Sequence, residues 1–471
     1  MDPIKTQVVV LGAGPGGYAA AFYAADLGKE VILIEREARL GGVCLNRGCI
    51  PSKALLHATK MISSAESSAD RGITFGKPTV ALDKLRAWKD SILAKLGQGI
   101  SGLAQKRNVR VIHGRAYFES SSSVRVETEE GQTFVNFEQA ILAVGSKPAL
   151  PRTFDLGNPL IMTSTEALEL PDVPGTLLVV GGGYIGMELG TVYSSLGSRV
   201  TVVEAMDAIL AGADADLVRP VARYAAKHFK EVRLKTKVAS MATAGKQIKV
   251  VTECDGATKE ELYDRVLVSV GRVPNADDLG LENTKVERDD RNFVKVNASM
   301  QTADPGIYAI GDIAGGLMLA HKASREARIA VEAIAGEAPG AQPLVIPAVV
   351  FTHPEIAWVG LTEAEAKAQG RAVQVAKFPW AALGRALTCD ATEGVTKIIA
   401  DPQTERILGV GITGNNAGEM IGEATALIEL GATVKDLAMT VHPHPTLSES
   451  LMEAAEAFFG HSTHVHTRKS H

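Results

Sequence analysis

The sequence predicts an α/β protein with two Rossmann-like dinucleotide-binding domains, followed by a smaller α+β domain. A valine-rich strand that runs into a glycine-rich turn occurs twice, and after residue 345 strands and helices alternate in a different pattern. The length of 471 residues suits about three domains at roughly 150 residues each. We therefore expect units at residues 1–150, 151–271 and 346–471, with a central segment at 272–345.

The first glycine-rich turn lies between two short apolar strands. Residues 7–11 are typical of a buried parallel strand, residues 18–27 predict an alanine-rich helix, and residues 31–34 predict the next strand. Glu35 ends that strand, where an acid accepts hydrogen bonds from a ribose. Glycines in such a unit allow a tight turn, close approach of a pyrophosphate and close helix–strand packing; here they are Gly12, Gly14 and Gly17.

The same arrangement recurs later in the chain. Residues 177–180 predict a strand, Gly181–Gly186 a second glycine turn, 187–196 a helix, and 200–203 a strand that ends at Glu204. The separation between the first glycine and the acid is the same in both copies. This internal repeat predicts two mononucleotide-binding folds, and hence two bound dinucleotides, one on each fold.

Further elements follow from periodicity, and an acid stands at one strand end. Helices are predicted at 55–68, 82–106, 320–335, 362–368 and 416–430. Strands are predicted at 109–118, 123–128, 133–137, 140–144, 266–270, 307–310, 373–378 and 394–400. Asp312 directly follows the strand at 307–310, at the edge where open α/β sheets bind ligands. The alternative is that Asp312 only caps the next helix.

A pair of cysteines follows the first nucleotide-binding unit. Cys44 and Cys49 are separated by four residues, and this position predicts electron transfer between a cofactor and a disulfide. A persistent structural disulfide is rare in cytosolic chains, and so small a loop would stabilise the fold by only roughly 2 kcal/mol. A zinc site would need two more ligands, while Cys254 and Cys389 are isolated. We predict no metal site.

The C-terminal region contains a candidate base. Prolines flank His444 and hold its imidazole in a rigid loop, and a histidine can move protons near neutral pH. Thr446 and Glu449 predict a capping box, which would give Glu449 a purely structural role. The tail from residue 461 carries four histidines and little apolar content, so we expect it to be flexible.

Composition excludes several classes of function. The chain is 46% hydrophobic and 22% charged, as in an ordinary soluble globular protein, and its net charge of −5 argues against nucleic acid as the main partner. No apolar run approaches the roughly 18 residues of a membrane span. A strand-like run begins at Gln7, so we expect no signal peptide and a reducing, cytoplasmic compartment. The mature form of an organelle protein would look the same.

These residues, in this order, resemble the flavin-dependent pyridine nucleotide–disulfide oxidoreductases. The resemblance covers nearly the whole chain, and it is strongest to the members that oxidise protein-bound dihydrolipoamide. The motifs that carry it are Gly-Gly-x-Cys-x4-Cys-x-Pro-Ser-Lys at 41–53, both glycine turns, Ala309–Asp312, Leu319–Lys322 and His444–Glu449. The resemblance implies an NAD-dependent enzyme with FAD and a redox-active disulfide.

The resemblance implies that FAD lies on the first domain, which the segment 272–345 completes. Glu35 would bind the adenosine ribose, and Asp312 the ribityl or pyrophosphate region. Lys53 would lie beside the flavin and pair with Glu188. The implied FAD residues are Gly12, Gly14, Gly17, Glu35, Arg36, Gly42, Val43, Lys53, Ala116, Gly145, Asp312 and Ala320.

The resemblance places NAD on the second domain and assigns the catalytic groups. The implied NAD residues are Gly181, Gly183, Tyr184, Ile185, Gly186, Glu204, Val238 and Gly271. The substrate dithiol would attack Cys44, Cys49 would lie next to the flavin, and His444 would take the substrate proton. Glu449 would orient His444, and Lys53 with Glu188 would complete the catalytic set.

By the same resemblance the last domain makes a homodimer, in which His444 of one subunit serves the disulfide of the other. The implied partners are the lipoyl domains and core of 2-oxoacid dehydrogenase complexes and the lipoyl carrier of the glycine cleavage system. Pro443 and Phe351 stand where many members have alanine and tyrosine, and residues 323–327 also depart from the usual pattern. We expect none of these residues to touch a proposed catalytic atom, so the departures should change the reaction rates only slightly.

The sequence also allows other functional interpretations. Glutathione reductase shares the layout but binds NADPH through a nearby arginine, whereas Glu204 is followed by Ala-Met-Asp. Mercuric reductase carries a C-terminal cysteine pair, and no cysteine follows Cys389. Soluble transhydrogenase lacks the cysteine pair that this chain has. A different class is a non-catalytic NAD-binding scaffold whose two cysteines hold a metal.

Overall fold

A computed structural model describes residues 2–337 and 345–466 of the protein. The sequence of residues 336–345 is loop-like and predicts a linker to the last domain, but most of it lies outside the described residues, as do the final residues of the tail. Short 3₁₀ helices occur at Ser68–Arg71, Leu281–Asn283, Gly311–Ala314 and Trp380–Ala382. Within the described ranges, none of the helices is long and apolar enough to cross a membrane.

The first unit is an α/β arrangement built around a sheet that is parallel on one side. Its elements are β1 (Ile4–Leu11), α1 (Pro15–Asp26), β2 (Val31–Glu35), α2 (Gly42–Arg47), α3 (Cys49–Ser67), α4 (Leu82–Lys106), β3 (Arg110–His113), β4 (Arg115–Ser120), β5 (Ser123–Thr128), β6 (Gly131–Leu142) and β7 (Ser146–Pro148). The strand order is β3-β2-β1-β6-β5-β4. Strands β1, β2, β3 and β6 pair in parallel, and β4 to β6 form an antiparallel meander.

Strand β6 replaces two strands that the sequence predicts at 133–137 and 140–144. Glu138 and Gln139 interrupt the apolar pattern, which is why the sequence suggests a break there. The pairing with β1 nevertheless continues through this point, with Val8 opposite Gln139. The first half of β6 therefore serves the meander and the second half serves the parallel sheet.

The second unit repeats the first and adds an antiparallel ribbon. Its elements are β8 (Ile161–Met162), α5 (Ser164–Glu169), β9 (Thr176–Val180), α6 (Tyr184–Leu196), β10 (Arg199–Val203), α7 (Ala215–His228), β11 (Glu231–Arg233), β12 (Lys237–Ala244), β13 (Gln247–Cys254), β14 (Ala257–Tyr263), β15 (Arg265–Val268) and β16 (Arg272–Pro274). The parallel sheet has the order β11-β10-β9-β15-β8. Strand β16 pairs antiparallel with β7, so the two chain crossings between the units lie side by side.

The central segment returns to the first sheet. It contains β17 (Ile307–Ala309) and α8 (Ala320–Ile334). Strand β17 pairs in parallel with β6. Helix α8 packs closely on α1, since a Cβ atom added at Gly16 would lie 3.1 Å from the Cβ of Ala323. This segment is thus structurally part of the first α/β unit.

The last unit is an antiparallel sheet covered by helices. Its elements are β18 (Ala348–Val350), β19 (Glu355–Gly360), α9 (Glu363–Ala368), β20 (Gln374–Pro379), α10 (Gly384–Thr388), β21 (Val395–Ala400), β22 (Ile407–Gly414), α11 (Ala417–Glu429), α12 (Val434–Met439) and α13 (Glu449–Phe458). The strand order is β18-β19-β22-β21-β20. One apolar cluster fills the space between this sheet and helices α11 to α13.

The first residues of the tail that we expect to be flexible lie against helix α13. Residues 461–466 follow helix α13 and contact it. The hydroxyl of Ser462 donates to the buried carboxylate of Glu453 at 2.6 Å, and the ring of His464 contacts the same carboxylate. Val465 packs against the apolar core of the unit. A buried acid that needs partners explains why this stretch is held.

A buried ammonium group joins the second and last units. The side chain of Lys397 on β21 is 1% exposed. Its Nζ atom lies 2.6 Å from Asp214, 2.7 Å from Asp216 and 2.8 Å from Glu363. Asp214 also accepts the backbone N–H groups of Glu363 and Ala364 at the start of α9. The lysine therefore neutralises acids that come from both units.

Replacing Lys397 by methionine tests this junction. The side chain keeps its length but leaves three carboxylates without their buried cation, so we expect the free energy of unfolding to fall by about 3 kcal/mol or more. Chemical denaturation of the variant measures this. Lys249→Met is the matched control, because the Lys249–Glu260 pair is largely exposed and its loss should cost under about 1 kcal/mol. Equal losses in both variants would contradict the assignment.

Candidate active site

A cleft of about 350 Å³ runs between the first and second units. Its wall includes the cysteine pair, the start of α1 and the start of α6. The predicted residues that line it are Gly12, Gly14, Glu35, Arg36, Gly42, Val43, Cys44, Cys49, Lys53, Ala116, Gly145, Tyr184, Ile185, Glu188, Asp312 and Ala320. Those that do not line it are Gly17, Gly181, Gly183, Gly186, Glu204, Val238, Gly271, His444 and Glu449.

The first glycine turn packs so closely against its neighbours that side chains would not fit. Gly12 has a φ of +96°, and a Cβ atom there would lie 2.6 Å from the carbonyl oxygen of Ala143. A Cβ at Gly17 would lie 1.8 Å from the oxygen of Gly12, so Gly17 serves helix–strand packing and not the cleft wall. Gly186 has the same role in the second copy, at 2.1 Å from the oxygen of Gly181.

The helices that follow both turns have open N-termini. The N-cap residues are Gly14 for α1 and Gly183 for α6, and neither has a side chain to cap the helix. Neither helix has an acidic residue in its first turn. Unpaired backbone N–H groups and a positive dipole end favour phosphate. These features fit the pyrophosphate groups of two dinucleotides.

The two strand-end acids make matching contacts. Glu35 accepts the backbone N–H of Ala13 at 2.8 Å and that of Glu37 at 3.0 Å. Glu204 accepts the N–H of Gly182 at 2.6 Å and that of Met206 at 2.8 Å. Each carboxylate thus ties its strand end to the glycine turn and keeps lone pairs for a ribose.

The cysteine pair lies where helix α2 ends and α3 begins. Gly48 separates the helices with φ −149° and ψ −113°, and Cys49 is the first residue of α3. The two sulfur atoms are within hydrogen-bond reach of each other, and Cys49 faces the open cleft. A hydrogen bond from the Cys44 thiol, helped by the positive charge of Lys53, lowers the pKa of Cys49 to about 7. The same hydrogen bond, together with burial, raises the pKa of Cys44.

Lys53 and Glu188 form the ion pair that the resemblance implies. The Nζ atom of Lys53 lies 2.8 Å and 3.0 Å from the two oxygens of Glu188, whose side chain is 4% exposed. Two further partners of Glu188 are missed by the sequence reasoning. The hydroxyl of Ser52 donates to it at 2.8 Å, and the backbone N–H of Phe351 donates at 3.0 Å.

Phe351 also contacts the lysine directly. The Nζ atom of Lys53 lies 4.5 Å from the centre of the Phe351 ring, within the range of a cation–π contact. The expectation that Phe351 touches no proposed catalytic atom is therefore wrong, since it contacts Lys53 and its N–H donates to Glu188. Nothing in the local sequence around Lys53 signals this, because Phe351 belongs to the last unit. Ser52 could have been inferred, since it stands next to Lys53 in the cysteine motif.

Asp312 is held by residues of the two chain crossings. Its carboxylate accepts the hydroxyl of Ser146, and it lies 3.8 Å from Nε of Arg272. Arg272 also donates to the hydroxyl and carbonyl oxygens of Ser146, at 2.7 and 2.8 Å. The next helix, α8, has Leu319 as its N-cap residue and no side-chain cap, so Asp312 does not cap it and the capping alternative is wrong.

His444 and Glu449 form a hydrogen-bonded pair away from the cleft. Nδ1 of His444 lies 2.8 Å from Glu449, and the histidine side chain is 75% exposed. Burial raises the pKa of Glu449, but hydrogen bonds from the N–H of Thr446 and from His444 outweigh it and hold this pKa below its ordinary value. Nε2 of His444 is left to accept a proton.

Only half of the capping box predicted at Thr446 and Glu449 forms. The Thr446 N–H donates to Glu449 at 2.6 Å. The Thr446 hydroxyl instead donates to the carbonyl oxygen of Pro443, and helix α13 begins later than the box requires. Glu449 therefore divides its carboxylate between the backbone and His444.

Two family models together match most of the chain. The model described as pyridine nucleotide-disulphide oxidoreductase matches residues 6–327, and its dimerisation domain matches residues 346–455. The chain belongs to the pyridine nucleotide-disulphide oxidoreductase family. Its division into two nucleotide-binding units and a C-terminal unit agrees with that membership.

Individual members of the family resemble the chain over its full length. Dihydrolipoyl dehydrogenase of Vibrio parahaemolyticus is 48% identical over 99% of this chain and 98% of its own. Dihydrolipoyl dehydrogenase of Staphylococcus aureus is 44% identical, with 98% of each chain covered. Among solved structures, LpdA from Mycobacterium tuberculosis has a TM-score of 0.88 at 28% identity, covering 96% of this chain and 99% of that one. The HOCl-induced flavoprotein disulfide reductase RclA from Escherichia coli has a TM-score of 0.85 at 28% identity, covering 96% and 99%.

The lowered pKa of Cys49 predicts a pH dependence. In the reduced protein Cys49 should be mostly thiolate above pH 7 and mostly thiol below it, so its alkylation rate should rise with a midpoint near pH 7. Lys53→Met removes a favourable charge and should move the midpoint upward by roughly one pH unit. Mass spectrometry of Cys49 after timed alkylation measures this. Lys60→Met, on the same helix, should leave the midpoint in place; a shift there of the same size would contradict a local effect of Lys53.

Proposed function

We propose that this protein is an NAD-dependent dihydrolipoyl dehydrogenase, which oxidises protein-bound dihydrolipoamide to lipoamide. The observation that carries the proposal is the cysteine pair in the cleft that the starts of α1 and α6 both line, with a cation beside the more acidic thiol. The curated relatives that share 43–48% of the sequence over nearly the full length bear that name. The names of these relatives do not support the alternative that the protein is a glutathione or mercuric reductase.

The residues of the first unit and the central segment fit FAD. An open helix N-terminus, a Gly12 without room for a side chain and the Glu35 carboxylate line one cleft. When bound there, FAD supplies two-electron transfer between a dithiol and a pyridine nucleotide. The residues that would hold it are those predicted from the sequence, with Gly17 acting through packing and Asp312 held by Ser146 and Arg272. We assign the binding of FAD to residues 1–150 and 272–345.

We assign NAD to residues 151–271, against the start of α6. Tyr184 and Ile185 lie both on this helix and in the cleft, so a nucleotide there would reach the same space from the other side. Glu204 stands where the ribose is expected, and its negative charge disfavours a 2′-phosphate. Val238 and Gly271 remain predicted contacts.

The dithiol exchange follows from the cysteine geometry. A substrate thiolate attacks the sulfur of Cys44 in the oxidised pair, the bond between the two protein sulfurs breaks, and Cys49 leaves as a thiolate. Cys49 is the better leaving group, since a thiol of lower pKa leaves faster. The second substrate thiol then attacks the mixed disulfide and releases lipoamide, which leaves both cysteines reduced.

His444 acts as the base in this exchange, and it comes from the other subunit. Its Nε2 accepts the substrate thiol proton, while Glu449 stabilises the resulting imidazolium through Nδ1. His444 is exposed and does not line the cleft of its own chain. A homodimer through residues 346–471, the unit matched by the dimerisation model, would bring it to the partner's cysteines. The partners that follow are lipoyl domains of 2-oxoacid dehydrogenase complexes and of the glycine cleavage system.

Two variants test the mechanism. His444→Gln removes the base, and we expect dihydrolipoamide oxidation to slow by ~100-fold or more. Cys44→Ser should abolish that reaction while FAD stays bound. Reduction of an artificial dye by NADH requires neither group and serves as the control. Near-normal dihydrolipoamide turnover in Cys44→Ser would refute the scheme.

Coenzyme choice gives an independent test. We expect kcat/KM for NAD to exceed that for NADP by a factor on the order of ten or more, because Glu204 repels a 2′-phosphate. Parallel steady-state assays with both coenzymes measure this. Glu204→Ala, which removes the charge, should narrow the difference, whereas equal use of both coenzymes by the unaltered protein would count against the assignment.

A further inference from the structure

The proposed base is carried by a loop whose residues around His444 are largely exposed. Residues 440–448 connect α12 to α13. Val441 is 92% exposed, and the side chain of His444 is 75% exposed. The side chain of His442, which lies between these two residues, has only 4% of its surface exposed. This histidine points inward while its neighbours on the loop face outward.

Both ring nitrogens of His442 meet acceptors. Nε2 lies 2.9 Å from the Glu423 carboxylate on α11, and Nδ1 lies 2.9 Å from the carbonyl oxygen of Thr440. Each ring nitrogen of His442 therefore lies within hydrogen-bond distance of an oxygen that can accept a proton donated by the ring. A hydrogen bond that a carboxylate accepts is stronger than one between neutral groups. The ring therefore ties the loop both to its own start and to a neighbouring helix.

We propose that His442 and Glu423 are positioning residues for His444. This inference rests on the proposed function, in which His444 acts as the base. Glu449 orients the imidazole of His444 from the C-terminal side of the loop, through the start of α13. His442 holds the loop from the N-terminal side, through α11. The two acids on two helices thus fix both ends of the short segment that presents the base.

The position of the His444 imidazole determines whether it can take the substrate proton. His444 must reach a thiol on a substrate held by another subunit, so an error in the loop moves the base directly. A displacement of 1 Å at a reacting group can cost on the order of 100-fold in rate. Neither His442 nor Glu423 touches the substrate in this scheme, and neither belongs to the path of electrons from NADH to a dye.

Glu423 variants of the full-length FAD-loaded protein test the proposal. Glu423→Ala should lower kcat for dihydrolipoamide on the order of tenfold with little change in KM. Dye reduction by NADH should stay unchanged. Glu423→Gln keeps an acceptor oxygen and should recover most of the lost rate. Glu429→Ala, exposed on the same helix and without a hydrogen bond or ion pair among the described residues, is the matched control and should behave as the unaltered protein.

Hydrogen exchange gives a second measurement that does not depend on turnover. Amides of residues 440–446 should exchange faster in Glu423→Ala and in His442→Asn than in the unaltered protein or in Glu429→Ala. Unchanged exchange in this loop would overturn the proposal, as would equal loss of both the dithiol and dye reactions in Glu423→Ala. If the unaltered protein does not oxidise dihydrolipoamide, the proposed function fails, and the exchange data alone then decide whether His442 anchors the loop.

Discussion

The contacts of one buried carboxylate, Glu188, hold the reactive centre together. Glu188 belongs to helix α6 of the second unit, and it binds Lys53 and Ser52 from α3 of the first unit and the Phe351 N–H from the last unit. A buried carboxylate is costly without such partners, so these contacts depend on one another. They also place the Lys53 ammonium where it stabilises the Cys49 thiolate. The chemistry of the thiol pair thus depends on the packing of three units.

The nucleotide-binding units show how a repeat is used for two purposes. In both copies a strand-end acid bonds the turn, and a glycine at the helix start leaves the backbone donors free. The copies differ in their surroundings, because the first is extended by the meander and by β17 whereas the second is flanked by an antiparallel ribbon. One cleft receives residues from both helix starts, which suits a passage of electrons between two cofactors.

Two glutamates of the C-terminal unit bind the loop between α12 and α13. Glu449 and Glu423 each bind a histidine of the segment that contains the proposed base. Glu453, further along α13, holds the first residues of the C-terminal tail. Helix α13 therefore supports both the loop before it and the chain after it. These contacts suit the proposed role of His444 as a base that acts on a neighbouring subunit.

Local chemistry determined much of this protein before any fold was known. The glycine turns, their acids and the cysteine motif are short segments whose spacing reflects backbone geometry within a few residues, so the sequence alone predicts the α/β class, the repeat and the thiol pair. Contacts between distant segments were decided only by tertiary structure. The Phe351 N–H on Glu188, the Ser146–Arg272 support of Asp312 and the Lys397 junction join residues from different units, and no local pattern encodes them. The sequence also did not predict the single strand β6, because the pairing of β6 with β1 continues through two polar residues that break the apolar pattern. The contact of Ser462 with the buried Glu453 was not predicted either, since it depends on the packing of helix α13.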